Sequence, residues 1–110
     1  MRDFIQVITT VDNEQDARKI ARALVEKRLA VCVQVSGPIA STYWWEGEVV
    51  ESEEYMCLIK TRQDLFTTVS AAIKALHPYE VPEILATPVA ASSQSYQDWL
   101  NGALVSDRNE

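Results

Sequence analysis

Two extended segments on either side of Glu46-Gly47 constrain the fold of this chain more than any other feature. Residues 31–45 and 49–61 are rich in β-branched and aromatic residues, and the short connection between them is typical of an antiparallel hairpin. Segment 31–45 would reach about 50 Å if fully extended, whereas a compact domain of this length is about 34 Å across. Even with a bend at Ser36-Gly37-Pro38, we expect part of the hairpin to project beyond the domain.

Sequence patterns before and after the hairpin predict further strands and helices, in the order β-α-β-β-α-β followed by a C-terminal helix. β-branched residues predict a first strand at 4–10 and a last strand at 84–89. Apolar residues recur at helical spacing in three places: Ala17, Ile20, Ala21, Leu24 and Val25; Leu65, Val69, Ala72, Ile73 and Leu76; and Tyr96, Trp99, Leu100 and Ala103. Two β-α-β halves favour an α+β ferredoxin-like split βαβ fold in one domain, residues 1–110, with both long helices on one face of the sheet.

Local signals predict where the helices begin and end. Asp12 with Gln15 predicts the start of the first helix, and Ser95 with Asp98 predicts the start of the third. Residues 27–28, both basic, are expected in the last turn of the first helix, where the helix dipole favours cations.

Composition excludes several classes of protein. The 110 residues are 47% apolar and 24% charged, as in globular proteins, and no apolar run approaches the roughly 20 residues that cross a bilayer. The net charge of −6 argues against a nucleic-acid partner. Cys32 and Cys57 match neither a disulfide framework nor a CxxC motif. We expect them to be small buried hydrophobes in a cytoplasmic protein without a signal peptide.

Large aromatic residues occupy the part of the hairpin that should project. Leaving Tyr43, Trp44 and Trp45 in water would forfeit about 1.5–3 kcal/mol each, and an overhanging pair of strands has open edges. We therefore expect hairpins of several copies to pair in a homo-oligomer, with strands that coil back over their own core as the alternative. Five acidic residues predict a solvated strand face or, alternatively, a weak site for hard cations: Glu46, Glu48, Glu51, Glu53 and Glu54.

The segment His77–Glu83 contains the only histidine and two prolines. Proline stiffens the backbone, so this loop holds a group that titrates near neutrality on a rigid base. His77 is interpreted either as a metal ligand or as a cap on the carbonyls of the second helix. Glu83 is expected to be partly buried and to face Lys60 or Tyr79 across an interface.

Five segments together resemble the CutA divalent-cation tolerance family, in order and at fitting spacing: Ala23–Val33, Tyr43–Glu48, Lys60–Thr61, His77–Glu83 and Tyr96–Leu100. The resemblance covers essentially the whole chain. It implies a ferredoxin-like subunit in a homotrimer, joined by intersubunit sheets from the long hairpins and similar in architecture to the PII signalling proteins. It also implies tolerance to copper and other divalent metals, and no established enzymatic reaction.

The resemblance carries over only part of a metal site. In bacterial members with a proposed copper site, the ligands are a cysteine ending the first strand and a His-His pair before Pro-Tyr. The matching positions here are Thr9, Leu76 and His77. A hydroxyl and an aliphatic side chain cannot replace a thiolate and an imidazole. His77 is therefore the remaining candidate ligand for Cu(II) or another divalent cation, and a trimer would supply three copies of it.

Three functions compete. The first is a cytoplasmic homotrimer for divalent metal tolerance, with weak metal binding through His77. The second is a PII-like trimeric sensor that binds a small molecule in clefts between subunits, with Lys60, Tyr79 and Glu83 as contacts. The third, an acylphosphatase-like enzyme, ranks last because residues 10–13 lack the arginine-bearing, glycine-rich anion loop. No other catalytic motif is present in the sequence.

Overall fold

A four-stranded antiparallel sheet carries the helices in the computed structural model, which describes residues 3–105. A 3₁₀ turn, Gln63–Leu65, precedes the second helix. The elements are β1 (Phe4–Val11), α1 (Glu14–Glu26), β2 (Cys32–Trp45), β3 (Glu48–Arg62), α2 (Phe66–Leu76), β4 (Leu85–Pro88) and α3 (Gln94–Ala103). The sheet order is β2-β3-β1-β4, and the predicted ferredoxin-like split βαβ fold is confirmed.

The hydrophobic core lies between α1, α2 and one face of the sheet. Cys57 and Ile59 of β3 are fully buried there, and the Cys57 thiol donates to the carbonyl oxygen of Ala17 in α1 at 3.5 Å. On the opposite face Ile8 of β1 lies between Leu58 of β3 and Leu85 of β4. Leu85 is 57% exposed, so an apolar strip on this second face is open to solvent.

The hairpin of β2 and β3 has the predicted reach and the predicted turn. Glu46 and Gly47 both have positive φ, 50° and 82°, as the favoured two-residue hairpin turn requires. The molecule measures 44 × 26 × 22 Å, longer in one direction than a compact domain of this size. A bulge interrupts the ladder between Ser36 and Ile39 of β2, at the predicted bend.

Several predicted boundaries are wrong by one or two residues. Asn13, not Asp12, caps α1, because its side chain accepts from the backbone N–H of Asp16 at 2.8 Å. Ser93, not Ser95, caps α3 through the backbone N–H of Tyr96. α1 ends at Glu26, so residues 27–28 follow its last turn.

Candidate functional site

The side chain of His77 joins the end of α2 to the end of β1. Its Nε2 lies 2.7 Å from the carbonyl oxygen of Thr10, and its Nδ1 accepts from the backbone N–H of Tyr79 at 3.1 Å. Because Nδ1 accepts from Tyr79, Nε2 is the ring nitrogen that donates, to the carbonyl oxygen of Thr10. His77 occupies the predicted C-cap position of α2, where its backbone N–H donates to the carbonyl oxygen of Ile73 at 2.9 Å. The cap is made by the backbone and not, as predicted, by the imidazole, because the buried ring bonds to Thr10 and Tyr79.

A metal ion at His77 would have to replace one of these two hydrogen bonds. The neighbouring positions of the family pattern supply no strong ligand: Thr9 is fully buried in the sheet, and Leu76 is half-buried at the end of α2. Within residues 3–105, no group of three or more His, Cys, Asp or Glu side chains is arranged to hold a metal ion. The metal-ligand role of His77 stays a prediction.

Glu54, on β3, is the buried carboxylate of the site. It is 6% exposed, and its Oε2 accepts a 2.7 Å hydrogen bond from the hydroxyl of Tyr79. Burial raises the pKa of the Tyr79 phenol, and the hydrogen bond to Glu54 raises it further. The prediction that Glu54 belongs to a solvated strand face is therefore wrong.

Glu83, which the sequence predicted as the partly buried carboxylate, is exposed. It accepts a long hydrogen bond from the hydroxyl of Thr10, at 3.4 Å. Lys60 lies elsewhere, where its Nζ donates to Oε1 of Gln34 at 2.9 Å. Within one chain, the structure does not bring Lys60 together with Tyr79 and Glu83.

The segment 79–83, the end of β1 and the outer hairpin, residues 39–54, line an open groove of about 740 Å³, which we call the acidic groove. Thr10, the hairpin residues Ser41, Thr42 and Ser52, and Val81 and Pro82 form part of its walls. Its carboxylates and aromatic residues are Asp12, Glu54, Glu80, Glu83, Tyr43, Trp44, Trp45 and Tyr79. The groove therefore combines negative charge with a large aromatic surface.

Comparison with known proteins places this site in a family. The sequence profile of the CutA1 divalent ion tolerance proteins matches residues 5–103. The chain belongs to the CutA1 family. The divalent-cation tolerance protein CutA of Thermus thermophilus is 50% identical over 94 residues, which cover 86% of this chain and 91% of that protein.

CutA1 relatives from animals and plants are longer. Human protein CutA is 42% identical over 91 residues, which cover 83% of this chain and 51% of the human protein. The chain thus spans about half the length of this relative. Among residues 3–105, no helix is long and apolar enough to cross a membrane.

Solved CutA1 structures have the same fold. The structure of CutA1 from Oryza sativa superposes with a TM-score of 0.92 at 35% identity, and the match covers 94% of this chain and 95% of that one. For the protein from Thermus thermophilus the TM-score is 0.90 at 46% identity, with 93% and 99% covered. Both values support the α+β assignment.

The two cysteines of this CutA1 family member have separate surroundings. Cys57 lies opposite Val35 of β2 and Thr9 of β1. Its thiol is fully buried, and burial raises its pKa from 9.0 to about 11, so it is not a reactive thiolate at neutral pH. Cys32 is half-buried, and both thiols are free.

Proposed function

We propose that the protein acts in the tolerance of cells to divalent metal ions, copper among them, as a cytoplasmic homotrimer that binds metal weakly and catalyses no reaction. The family match over residues 5–103 carries this proposal. The relatives named for divalent-cation tolerance support it.

Assembly is supported by apolar surface that a single chain leaves open. Trp44, Trp45 and Val49 at the end of the hairpin are 73%, 48% and 59% exposed. Leu85 of β4, at the other edge of the sheet, is a second exposed apolar position, 57% exposed. Exposed apolar patches of this kind mark interaction sites, and pairing of the hairpins in a trimer would cover them.

We further propose His77 as the weak metal contact. An imidazole nitrogen binds copper or zinc only when it is free of a proton and of a competing hydrogen bond. Since both ring nitrogens of His77 are hydrogen-bonded, a metal ion competes with these bonds, and the expected affinity is low.

Calorimetric titration of the wild type and His77→Gln with Cu(II) and Zn(II) tests this contact. We expect His77→Gln to lose at least part of the binding heat, while the control Glu80→Gln, an exposed carboxylate of the same segment, retains it. Melting curves must show that both variants are folded. Equal isotherms for wild type and His77→Gln would remove His77 from the site. Growth of a deletion strain in Cu(II), with and without the gene, tests the tolerance role.

The alternative function is a PII-like trimeric sensor that binds a small molecule, with Lys60, Tyr79 and Glu83 as contacts between subunits. The volume of the acidic groove favours it, because ligand sites typically occupy about 300–1,000 Å³. A thermal-shift screen of metabolites tests it, since a ligand at 100 times its Kd adds about 2.7 kcal/mol to the free energy of unfolding. A screen without any shift would count against a sensor.

A further inference from the structure

A second, smaller cavity of about 200 Å³ lies between α3 and the start of β1, whereas the acidic groove lies at the end of β1. Gln6 of β1 and Lys60 of β3 are direct partners in the ladder. Alternation points Lys60 away from the sheet face on which Ile59 is buried under the helices. Tyr96 and Leu100 of α3 line the cavity together with Gln6 and Lys60. α3 therefore covers this end of the second sheet face and leaves a space beneath it.

Apolar side chains form most of the wall of this cavity. Phe4, Ile5 and Leu100 are buried, and Val89 is half-buried. An apolar cavity of about 150 Å³ stays free of water and accepts benzene. The space beneath α3 is therefore large enough for a single ring or a short alkyl chain.

Lys60 brings a positive charge to this lining. Among the described residues that line the cavity, none is an aspartate or a glutamate, although the whole chain has a net charge of −6. The ammonium group has three donors, and one of them goes to Oε1 of Gln34 at 2.9 Å. No carboxylate within residues 3–105 forms an ion pair with Lys60. A cation with two unused donors thus lies beside an apolar space.

Two further donors line the same cavity. The side-chain amide of Gln6 and the hydroxyl of Tyr96 form no hydrogen bond within the described part of the chain. Burial raises the pKa of the Tyr96 phenol, and Cys32, directly opposite Lys60 in the ladder, raises it further. Because the effect of a charge decreases with distance, the Tyr96 hydroxyl lies near this part of the sheet, and it keeps its proton at neutral pH.

The apolar wall and the single cation decide between two kinds of anion. A phosphate group carries nearly two charges and three acceptor oxygens, which one ammonium group does not balance. A carboxylate carries one charge, and its two oxygens accept from Lys60 and from a neighbouring donor. A ring or an alkyl chain on that carboxylate gains further from contact with the apolar wall.

We propose that the cavity beneath α3 binds a small monocarboxylic acid with an aromatic ring or a short alkyl chain, which pairs its carboxylate with Lys60. The apolar part lies against Phe4 and Leu100. The proposal goes beyond metal tolerance and rests on the small-molecule alternative, because it names a ligand class and assigns Lys60 to a cavity within one chain. It does not use Tyr79 or Glu83.

Titration of the full chain with benzoate, followed by ¹H–¹⁵N NMR spectra and by calorimetry, tests the proposal. Benzyl alcohol is the uncharged analogue, and benzylamine is the cationic one. We expect saturable binding of benzoate, weakened by added salt, with the largest NMR shift changes at Gln6, Lys60 and Tyr96. Benzyl alcohol should bind about tenfold more weakly or less, and benzylamine should not bind.

A matched pair of lysine variants tests the charge. Lys60→Gln and Lys74→Gln each remove one positive charge, and Lys74 is exposed on α2, outside the cavity. Lys60→Gln should weaken benzoate binding about tenfold or more, whereas Lys74→Gln should leave it unchanged. Melting curves must show that both variants are folded. Equal affinities of the two variants would remove Lys60 from the site.

A second pair of variants tests the apolar wall. Val89→Phe adds a ring to the lining of the cavity and should abolish saturable binding of benzoate. Val25→Phe adds the same ring on α1, where Val25 is 41% exposed and does not line the cavity, and should have no effect. Equal binding by the two variants would mean that the ring of benzoate does not enter the cavity.

Three results would overturn the proposal, and each points to a different reason. If benzyl alcohol binds as tightly as benzoate, the cavity does not select an anion. If benzoate shifts only NMR signals outside the cavity, it binds elsewhere. If benzoate does not bind, but a metabolite does and Tyr79→Phe abolishes its binding, the carboxylic acid proposal fails and the sensor function stands. If nothing binds, both fail.

Discussion

The helix-covered core and the outer hairpin, residues 39–54, solve the burial of apolar residues in opposite ways. In the core, Val7 of β1 and Ile59 of β3 pair directly and are fully buried under α1 and α2. At the end of the outer hairpin, Trp44 is 73% exposed. The core is complete within one chain, whereas the outer hairpin lacks a covering layer. This difference suggests that stability resides in the first region and association in the second.

The double substitution Trp44→Glu with Trp45→Glu is the strongest test of this contrast. If both rings are buried between subunits, their loss should destabilise the assembly by about 3–6 kcal/mol. Light scattering should then show a lower mass, and the melting temperature should fall. An unchanged mass and melting temperature would mean that these rings are not at an interface.

A core truncation should act on the subunit itself. Ile59→Ala removes methyl groups from a fully buried position and leaves a cavity, so we expect a loss of about 2–5 kcal/mol in the free energy of unfolding. Urea denaturation at fixed protein concentration measures it. Val49→Ala in the outer hairpin is the control. If it lowers the free energy of unfolding as much as Ile59→Ala does, the contrast between core and hairpin is wrong.

The bulge between the two regions should be sensitive to side-chain size. A Cβ at Gly37 would lie 2.6 Å from Cδ2 of Tyr55, so Gly37→Ala should cost about 1–3 kcal/mol. Gly37 and Gly47 both have positive φ, 153° and 82°. At Gly47, however, an added Cβ meets nothing within 4 Å. Gly47→Ala should therefore cost only about 1 kcal/mol, from backbone strain. Equal losses in thermal unfolding would show that the contact with Tyr55 relaxes without cost.

The smallest expected effect is a pH dependence from the core. Burial raises the pKa of Cys57 from 9.0 to about 11, so between these values the folded chain keeps a proton that the unfolded chain releases. Stability is full below the lower value and decreases as pH rises. The expected loss is about 1 kcal/mol between pH 8 and pH 10. Cys57→Ala should remove this part of the slope, and an unchanged slope would assign it to other groups.

Sequence reasoning succeeded where structure depends on local signals. The order of elements, the turn at Glu46-Gly47 and the bend near Gly37 follow from periodicity, turn chemistry and proline. It missed contacts between distant segments. The bond from His77 to Thr10 joins residues 67 positions apart, and Tyr79 reaches Glu54 over 25 positions. Helix caps were displaced because Asp12 and Asn13, like Ser93 and Ser95, are equally suited to cap a helix.

The bulge in β2 determines the character of the groove. Inside the bulge, Val35 lies opposite Cys57 and points toward the helices; outside it, Ile39 lies opposite Glu54, on the other face of β3. The extra residue has reversed the side to which odd-numbered positions of β2 point. If β2 continued in strict alternation from Val35 without the bulge, Tyr43 and Trp45 would point to the side of the helices, and Thr42 and Trp44 would lie on the face of Glu54. The bulge therefore decides which side chains the carboxylate meets.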